Sequence, residues 1–134
     1  MEIVLDTNVF LASLVKKDEF HDDAEAFIEA MDSKEIRAHV SRIVPVEVCG
    51  AMGRRIGRKE ASEARDILRD WTSEGKIKVY DLTEKRMKDA QEIAISSGIK
   101  GMDAIAIQLA YELGVPFKTY DEEIKKKIKD VKFA

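Results

Sequence analysis

Apolar residues recur along the chain in two patterns. Short apolar runs, several of them rich in β-branched residues, predict strands at 3–5, 37–40, 77–80 and 115–119, with a further edge strand at 131–133. Positions such as Ala24, Phe27, Ile28 and Met31 instead share one face at helical spacing. Such spacing and the flanking cap residues predict helices over 9–15, 22–32, from about Ile43 onward, 59–72, from Thr83 to about 97, 102–113 and 122–128.

The predicted strands and helices alternate, and this order indicates the fold class. Each connection is long enough for a right-handed crossover, which is typical of a parallel sheet. We therefore predict that residues 1–134 form a single α/β domain. Its open parallel sheet has four or five strands, with helices on both faces. In such sheets the functional crevice lies outside the carboxyl ends of the strands.

Composition narrows the class of protein further. The 134 residues include 23 basic and 26 acidic side chains, a net charge of −3, which argues against a general polyanion-coating protein. Cys49 is the only cysteine, so an internal disulfide is excluded and a reducing, cytoplasmic setting is expected. The chain opens without a signal-peptide pattern, and no apolar stretch approaches the roughly 18 residues that span a bilayer, so no membrane partner is expected.

Two acids follow predicted strands. Asp6 ends the first apolar run, and Asp121 comes just after the run from Val115 to Thr119. Both also precede predicted helices, so each has an alternative interpretation as a simple helix cap. Two acids at strand ends of one parallel sheet would nevertheless face the same crevice.

Two further acids lie in apolar surroundings. Asp103 stands at the front of the most apolar helix, where the helix dipole by itself would also favour an acid. Glu47 is the one charge in the ten residues from Ile43 to Met52. A buried carboxylate is costly unless it is paired, protonated or bound to a cation, although a Glu47 that faces solvent is the alternative.

Carboxylates of this kind suit hard divalent cations, which prefer oxygen ligands. Three or four convergent acids could hold one or two Mg²⁺ ions, and two such ions can promote phosphodiester cleavage. Zinc is not indicated, because His21, His39 and Cys49 lack the spacing of zinc ligands. Both histidines are expected to be structural. The sequence also lacks a glycine-rich phosphate loop.

The acidic positions resemble those of PIN-domain nucleases. The segment Val4-Leu5-Asp6-Thr7-Asn8-Val9-Phe10 is similar to the opening motif of that family. Later acidic positions of the family are matched in order and rough spacing by Glu47 after Pro45, by Asp103-Ala104 and by Thr119-Tyr120-Asp121. Any one of these motifs is weak, but the four in order form a strong signal that covers the whole chain.

The resemblance implies a compact parallel-sheet fold and Mg²⁺- or Mn²⁺-dependent cleavage of RNA. It implies that the metal-binding and catalytic acids are Asp6, Glu47, Asp103 and Asp121. It also implies that Thr7, Asn8 and Thr119 orient carboxylates or waters. Small stand-alone members of the family are commonly VapC-type toxins, which usually form homodimers and are held inactive by a small antitoxin protein.

An RNA substrate requires cationic contacts to its phosphates. The best candidates are the cluster Arg54, Arg55, Arg58 and Lys59, although a plain solvated charge run is the alternative. The run from Lys125 to Lys127 is expected to be a solvated helix face. Aromatic residues are only 7% of the chain, and their spacing indicates no platform for base stacking.

Three other functions compete with the toxin nuclease. The first is a housekeeping RNA-processing nuclease of the same fold without an antitoxin, which the sequence does not separate from a toxin. The second is an inactive module that binds RNA or protein, against which the presence of all four acids argues. The third is a phosphate-binding receiver-type domain. Such a domain typically has paired early acids and a late lysine, but here Glu2 precedes the first strand and Lys118 lies within one.

Overall fold

Four parallel strands form one sheet in the computed structural model, which describes residues 1–134. The strands are β1 (Glu2–Leu5), β2 (Arg37–Ser41), β3 (Ile77–Tyr80) and β4 (Phe117–Lys118). Their order in the sheet is β3-β2-β1-β4, so β1 lies between β2 and β4. Val4 is paired with both His39 and Phe117, and Leu5 with Lys118.

Seven helices connect and cover these strands. They are α1 (Thr7–Leu14), α2 (His21–Asp32), α3 (Ile43–Arg55), α4 (Arg58–Ser73), α5 (Glu84–Ser97), α6 (Gly101–Leu113) and α7 (Glu122–Lys127). Local signals set several of these ends. The Thr83 hydroxyl accepts a hydrogen bond from the Arg86 amide at the start of α5. Gly98 and Gly114 end α5 and α6 in the left-handed conformation, at φ of 73° and 63°.

The sheet separates two hydrophobic cores. Alternate strand residues, such as Ile3 and Leu5 on one face and Val4 on the other, point into different cores. The larger core packs the sheet against α1, α2, α3 and α4, and the smaller one packs it against α5, α6 and α7. The predicted α/β class, with helices on both faces of a parallel sheet, is therefore confirmed.

A few boundaries differ from the sequence-based expectation. Strand β4 has two residues instead of the predicted five, because Pro116 has no amide hydrogen and the Val115 amide is bonded to Ala110 at the end of α6. The predicted edge strand at 131–133 is reduced to a single bridge between Phe117 and Phe133. Ser41 belongs to β2, one residue beyond the predicted end of that strand, and its hydroxyl accepts a long 3.4 Å hydrogen bond from the Ile43 amide.

Several residues outside the acidic positions have structural partners. Trp71 packs at the edge of the larger core, 6.4 Å from Phe10 between ring centroids. His39 is buried between Tyr80 and Glu2, and His21 lies between the Ala12 carbonyl and Glu25. No single helix is long and apolar enough to cross a membrane. The one pair that meets that test jointly, α5 and α6, is bent by 112°.

Candidate metal-binding site

Asp6 occupies the centre of the candidate site because it follows β1, an inner strand of the sheet. Its backbone amide donates to the Lys118 carbonyl at 3.0 Å, which continues the β1–β4 ladder by one step. This step places Asp6 next to the segment Thr119–Asp121, which leaves the sheet at the end of β4. Two of the four predicted acids therefore lie at the same edge of the sheet.

Both carboxylate oxygens of Asp6 accept hydrogen bonds from the protein. Oδ1 accepts from the Thr7 amide at 2.8 Å, so Asp6 caps α1 as the alternative interpretation predicted. Oδ2 accepts from the Thr119 hydroxyl at 2.7 Å. A helix cap needs only the first of these bonds, and the second bond ties Asp6 to the far end of the chain.

Thr7 connects Asp6 with Glu47. Its amide donates to Asp6, and its hydroxyl donates to Glu47 Oε1 at 2.9 Å. Thr7 is buried and Glu47 is half-buried on α3, the helix that follows β2. One threonine thus holds the acids that follow two neighbouring strands.

Thr119 is the second connecting residue, and it is completely buried. While donating to Asp6, its hydroxyl accepts from Asn8 Nδ2 at 3.1 Å and from the Asp121 amide at 3.0 Å. These bonds use the full hydrogen-bonding capacity of a hydroxyl. Asn8 also accepts from the Tyr120 amide at 3.3 Å. Asp121 itself caps α7 through a 2.8 Å bond from the Glu123 amide to its Oδ1.

Asp103 lies in the first turn of α6 and is half-buried. Its pKa is raised, chiefly because burial penalises its charged form, with further contributions from the negative charges of Asp121 and Glu47. The cation of Lys100 opposes this shift. The interaction of Asp103 with the other predicted acids is therefore electrostatic.

The pKa of Asp6 is raised to about 6. Burial is the largest cause, and the negative charges of Asp103 and Glu47 act in the same direction. The hydrogen bonds from Thr119 and Thr7 oppose the shift but do not cancel it. Each of the four acids thus repels at least one of the other three.

The four acids have the chemistry of a site for a divalent cation. The donor atoms of the four acids are carboxylate oxygens, which are ligands that Mg²⁺ and Mn²⁺ prefer. Burial is the main cause of the raised pKa values of Asp6 and Asp103, and the repulsion between acids that adds to it is one that a cation would relieve. The chemistry of the donor set therefore fits such an ion.

The close convergence expected from the sequence is not present in this structure. No group of three or more His, Cys, Asp or Glu side chains is arranged so that it could hold a metal ion. Like charges repel one another, and the oxygens of Asp6, Glu47 and Asp121 are engaged by Thr7, Thr119 and the Glu123 amide. The four acids are thus neighbours linked by hydrogen bonds and charge, but they do not form a closed cage.

A groove of about 410 Å³ runs beside Glu47 along α3. Arg54 and Arg55 line it together with Thr7 and Glu47, so two of the four predicted RNA-binding residues lie next to a site acid. Arg58 and Lys59 are exposed at the start of α4 and do not line this groove. The groove therefore has positively charged side chains on the side of the acidic cluster where Glu47 lies.

Sequence reasoning missed a polar and aromatic cluster on the other side. Lys118 is buried in β4, with its ammonium 3.1 Å from Asp23 and 4.9 Å from the centre of the Tyr120 ring. The Tyr120 hydroxyl donates to Asp23 at 2.6 Å, and its ring stacks on Phe20. The available signal was a lysine inside a strand, because a buried lysine requires partners.

A family model described as PIN domain matches residues 3–129. No curated protein sequence matches the chain at a significant level. Solved structures with the same fold include the sarcin-ricin loop cleaving toxin VapC20 of Mycobacterium tuberculosis. It is 19% identical, the match covers 96% of this chain and 98% of that one, and the TM-score is 0.76.

Two other structures are similarly close. VapBC2 from Rickettsia felis, bound to a DNA fragment from its promoter, is 16% identical, with 100% and 98% of the two chains covered and a TM-score of 0.71. PAE2754 from Pyrobaculum aerophilum is 18% identical, with 98% and 87% covered and a TM-score of 0.69. Identities this low establish the shared fold alone. Because the family model spans nearly the whole chain and the fold agrees with it, the chain belongs to the PIN-domain family.

Proposed function

We propose that this protein is a metal-dependent endoribonuclease. The observation that carries the proposal is the linkage of Asp6, through Thr7 and Thr119, to Glu47 and to the segment that ends in Asp121. Asp103 shares the electrostatic field of these acids. PIN-domain membership, which is typical of hydrolytic nucleases, supports this chemistry.

Each residue of the site has a distinct role in the proposal. Asp6, Glu47, Asp103 and Asp121 would hold one or two Mg²⁺ or Mn²⁺ ions, which requires their carboxylates to move closer together than they lie in this structure. When bound, such an ion supplies activation of the attacking water and stabilisation of charge on the leaving oxygen. Thr7, Asn8 and Thr119 orient the carboxylates through the hydrogen bonds described above.

The groove on α3 supports RNA as the substrate. Arg54 and Arg55 line the groove beside Glu47, and on this proposal they contact phosphates of an RNA strand that enters the acidic cluster from the Glu47 side. Arg58 and Lys59 continue the positive charge beyond the groove, at the start of α4. Together these four residues offset the repulsion that an acidic cluster exerts on a polyanion.

We further propose that the protein is the toxin of a toxin–antitoxin pair. Structures of similar fold are described as VapBC assemblies from Rickettsia felis and Salmonella typhimurium and as a toxin–antitoxin complex from Klebsiella pneumoniae. On this proposal the chain forms a homodimer in the cytoplasm and is restrained by a small antitoxin. The test is growth arrest on expression, with relief when a short neighbouring reading frame is expressed with it. Expression without any effect on growth would favour the housekeeping nuclease.

The nuclease proposal is tested by RNA cleavage with the purified protein. We expect cleavage with Mg²⁺ or Mn²⁺ and none with a chelator. Asp6→Asn should lose more than about 10-fold in activity, because even the loss of a residue that supports a metal ligand costs about 10- to 100-fold. Asp70→Asn, at an exposed position on α4, is the matched control and should retain activity. Metal-independent cleavage, or full activity in Asp6→Asn, would refute the proposal.

A further inference from the structure

Phe20 and Tyr120 form a stacked aromatic pair beside the acidic cluster. Their ring centroids are 4.4 Å apart and their planes differ by 6°, so the rings are nearly parallel. Phe20 nevertheless remains 36% exposed, at the position that precedes α2. Phe20 therefore still offers apolar surface that Tyr120 does not cover.

Both rings are held in place by polar contacts. The Phe20 amide donates to Asp18 Oδ1 at 2.8 Å, which fixes the turn before α2. The Tyr120 amide donates to Asn8, and its hydroxyl donates to Asp23. Burial and this bond to Asp23 raise the pKa of Tyr120, so the ring stays neutral. A surface that is already ordered loses little conformational entropy when a ligand stacks on it.

The pair lies on the opposite side of Asp6 from the arginine groove. Tyr120 follows β4, Glu47 and Arg54 belong to the helix after β2, and β1 separates these two strands in the sheet. Tyr120 also lies directly between Thr119 and Asp121. An RNA strand that runs from the arginine groove across the acids therefore reaches the aromatic pair next.

We propose that the Phe20–Tyr120 pair is a stacking platform for an unpaired nucleobase of the RNA substrate. This inference rests on the proposed nuclease function and specifies its substrate class. Aromatic side chains stack on any base, because every base has a π-face, but they require a base that is free of its own neighbours. The enzyme then prefers single-stranded RNA or unpaired loops near the cleaved bond, and it shows little base preference at the stacked position.

The platform can be tested by binding, without relying on cleavage. The probe is a short single-stranded RNA that carries 2-aminopurine at one position, mixed with the full chain in the presence of a chelator. Stacking on Phe20 should quench the 2-aminopurine fluorescence. Phe20→Ala should abolish this quenching and weaken binding by about 5- to 150-fold, the range for loss of one base–aromatic stack. Binding of a blunt RNA duplex should change little.

Two further variants separate stacking from simple apolar packing. Phe20→Trp should retain quenching and affinity, whereas Phe20→Leu, which is apolar without a ring, should behave like Phe20→Ala. Ile95→Ala is the matched control, because Ile95 is 77% exposed on α5 and belongs to neither proposed surface. Melting temperatures of all variants establish that each one is folded.

The outcomes distinguish this inference from the proposed function. If wild type binds and cleaves RNA but Phe20→Ala does so equally well, the platform is wrong and the nuclease proposal stands. The platform is also wrong, and the nuclease proposal again stands, if Phe20→Leu retains affinity as fully as Phe20→Trp. The pair would then be packing or a contact for a protein partner. If wild type neither binds nor cleaves RNA, both proposals fail.

Discussion

At the scale of single residues, Asp6 shows why a helix cap and a metal ligand are difficult to separate from sequence. It does cap α1, and a carboxylate that served only as a cap would be stabilised by the helix dipole and have a lowered pKa. Instead its pKa is raised to about 6, because burial and the neighbouring acids outweigh the capping bonds. The fold therefore keeps a charge at this position at a cost in stability, as is typical of functional sites.

This cost predicts the pH dependence of metal-free stability. The pKa of Asp6 rises from 3.8 to about 6 on folding, so its contribution to stability is greatest below pH 4 and is lost as the pH rises through 6. The shift corresponds to roughly 3 kcal/mol, and the raised pKa of Asp103 acts with the same sign. In the presence of a chelator, the melting temperature of wild type should therefore fall relative to that of Asp6→Asn as the pH rises from 4 to 7.

Asp6→Asn is an informative comparison because asparagine also caps helices well. The asparagine has an amide nitrogen in place of Oδ2, so it cannot accept the hydrogen bond that Thr119 donates to that oxygen. This loss should lower the free energy of unfolding by about 1 kcal/mol and partly offset the relief of repulsion. Thermal melts across this pH range provide the measurement. Parallel pH profiles for the two proteins would mean that Asp6 is not held at a raised pKa.

At the scale of elements, helix α3 carries an acid of the proposed metal site and a candidate phosphate-binding arginine on one face. Glu47, Gly50 and Arg54 are three and four residues apart, which aligns them along the helix. The Arg54 guanidinium lies over Gly50, because its Nη1 is 3.4 Å from the point where a Cβ at Gly50 would stand, which is an ordinary contact distance. Arg54 therefore lies back over the helix, beside the groove that it lines together with Glu47.

This arrangement predicts a specific loss on substitution of Arg54. Arg54→Gln should weaken RNA binding and reduce the slope of log affinity against log salt by about 1, because one phosphate contact is lost. Arg37→Gln is the matched control, since Arg37 is exposed at the amino end of β2, the opposite end of that strand. Fluorescence anisotropy at several salt concentrations measures both quantities. Equal slopes in wild type and Arg54→Gln would assign Arg54 to a solvated surface.

The same scale shows which parts of the fold the sequence could predict. Helices with strong end signals, such as α5 between Thr83 and Gly98, agree with the structure to within a residue. Strand β4 was overestimated, because its apolar run continues through residues whose amides are absent or bonded elsewhere. The pattern of apolar residues indicates which segments are buried, but the pairing of strands depends on which backbone amides and carbonyls remain free to form hydrogen bonds.

At the scale of the whole molecule, sequence order and strand ends were enough to predict that distant acids lie at one edge of the sheet. The bonds that organise them were beyond prediction, because Thr7–Glu47 and Thr119–Asp6 join residues 40 and 113 positions apart. The Phe20–Tyr120 pair was missed for the same reason. Spacing along a chain predicts which face a side chain occupies, whereas contacts between loops depend on how α2 packs beside β4.

The acids are contributed by segments from both halves of the chain, so an ion bound among them would oppose unfolding of the whole molecule. We expect Mg²⁺ or Mn²⁺ to raise the melting temperature, with a gain of about 2.7 kcal/mol when the ion is at 100 times its dissociation constant. The gain should be larger above pH 6, where Asp6 is ionised, than at pH 5. Asp6→Asn and Asp103→Asn should lose most of it, and Asp70→Asn should keep it. An equal metal-induced shift in all four proteins would place the ion elsewhere and leave the acidic cluster without the role proposed for it.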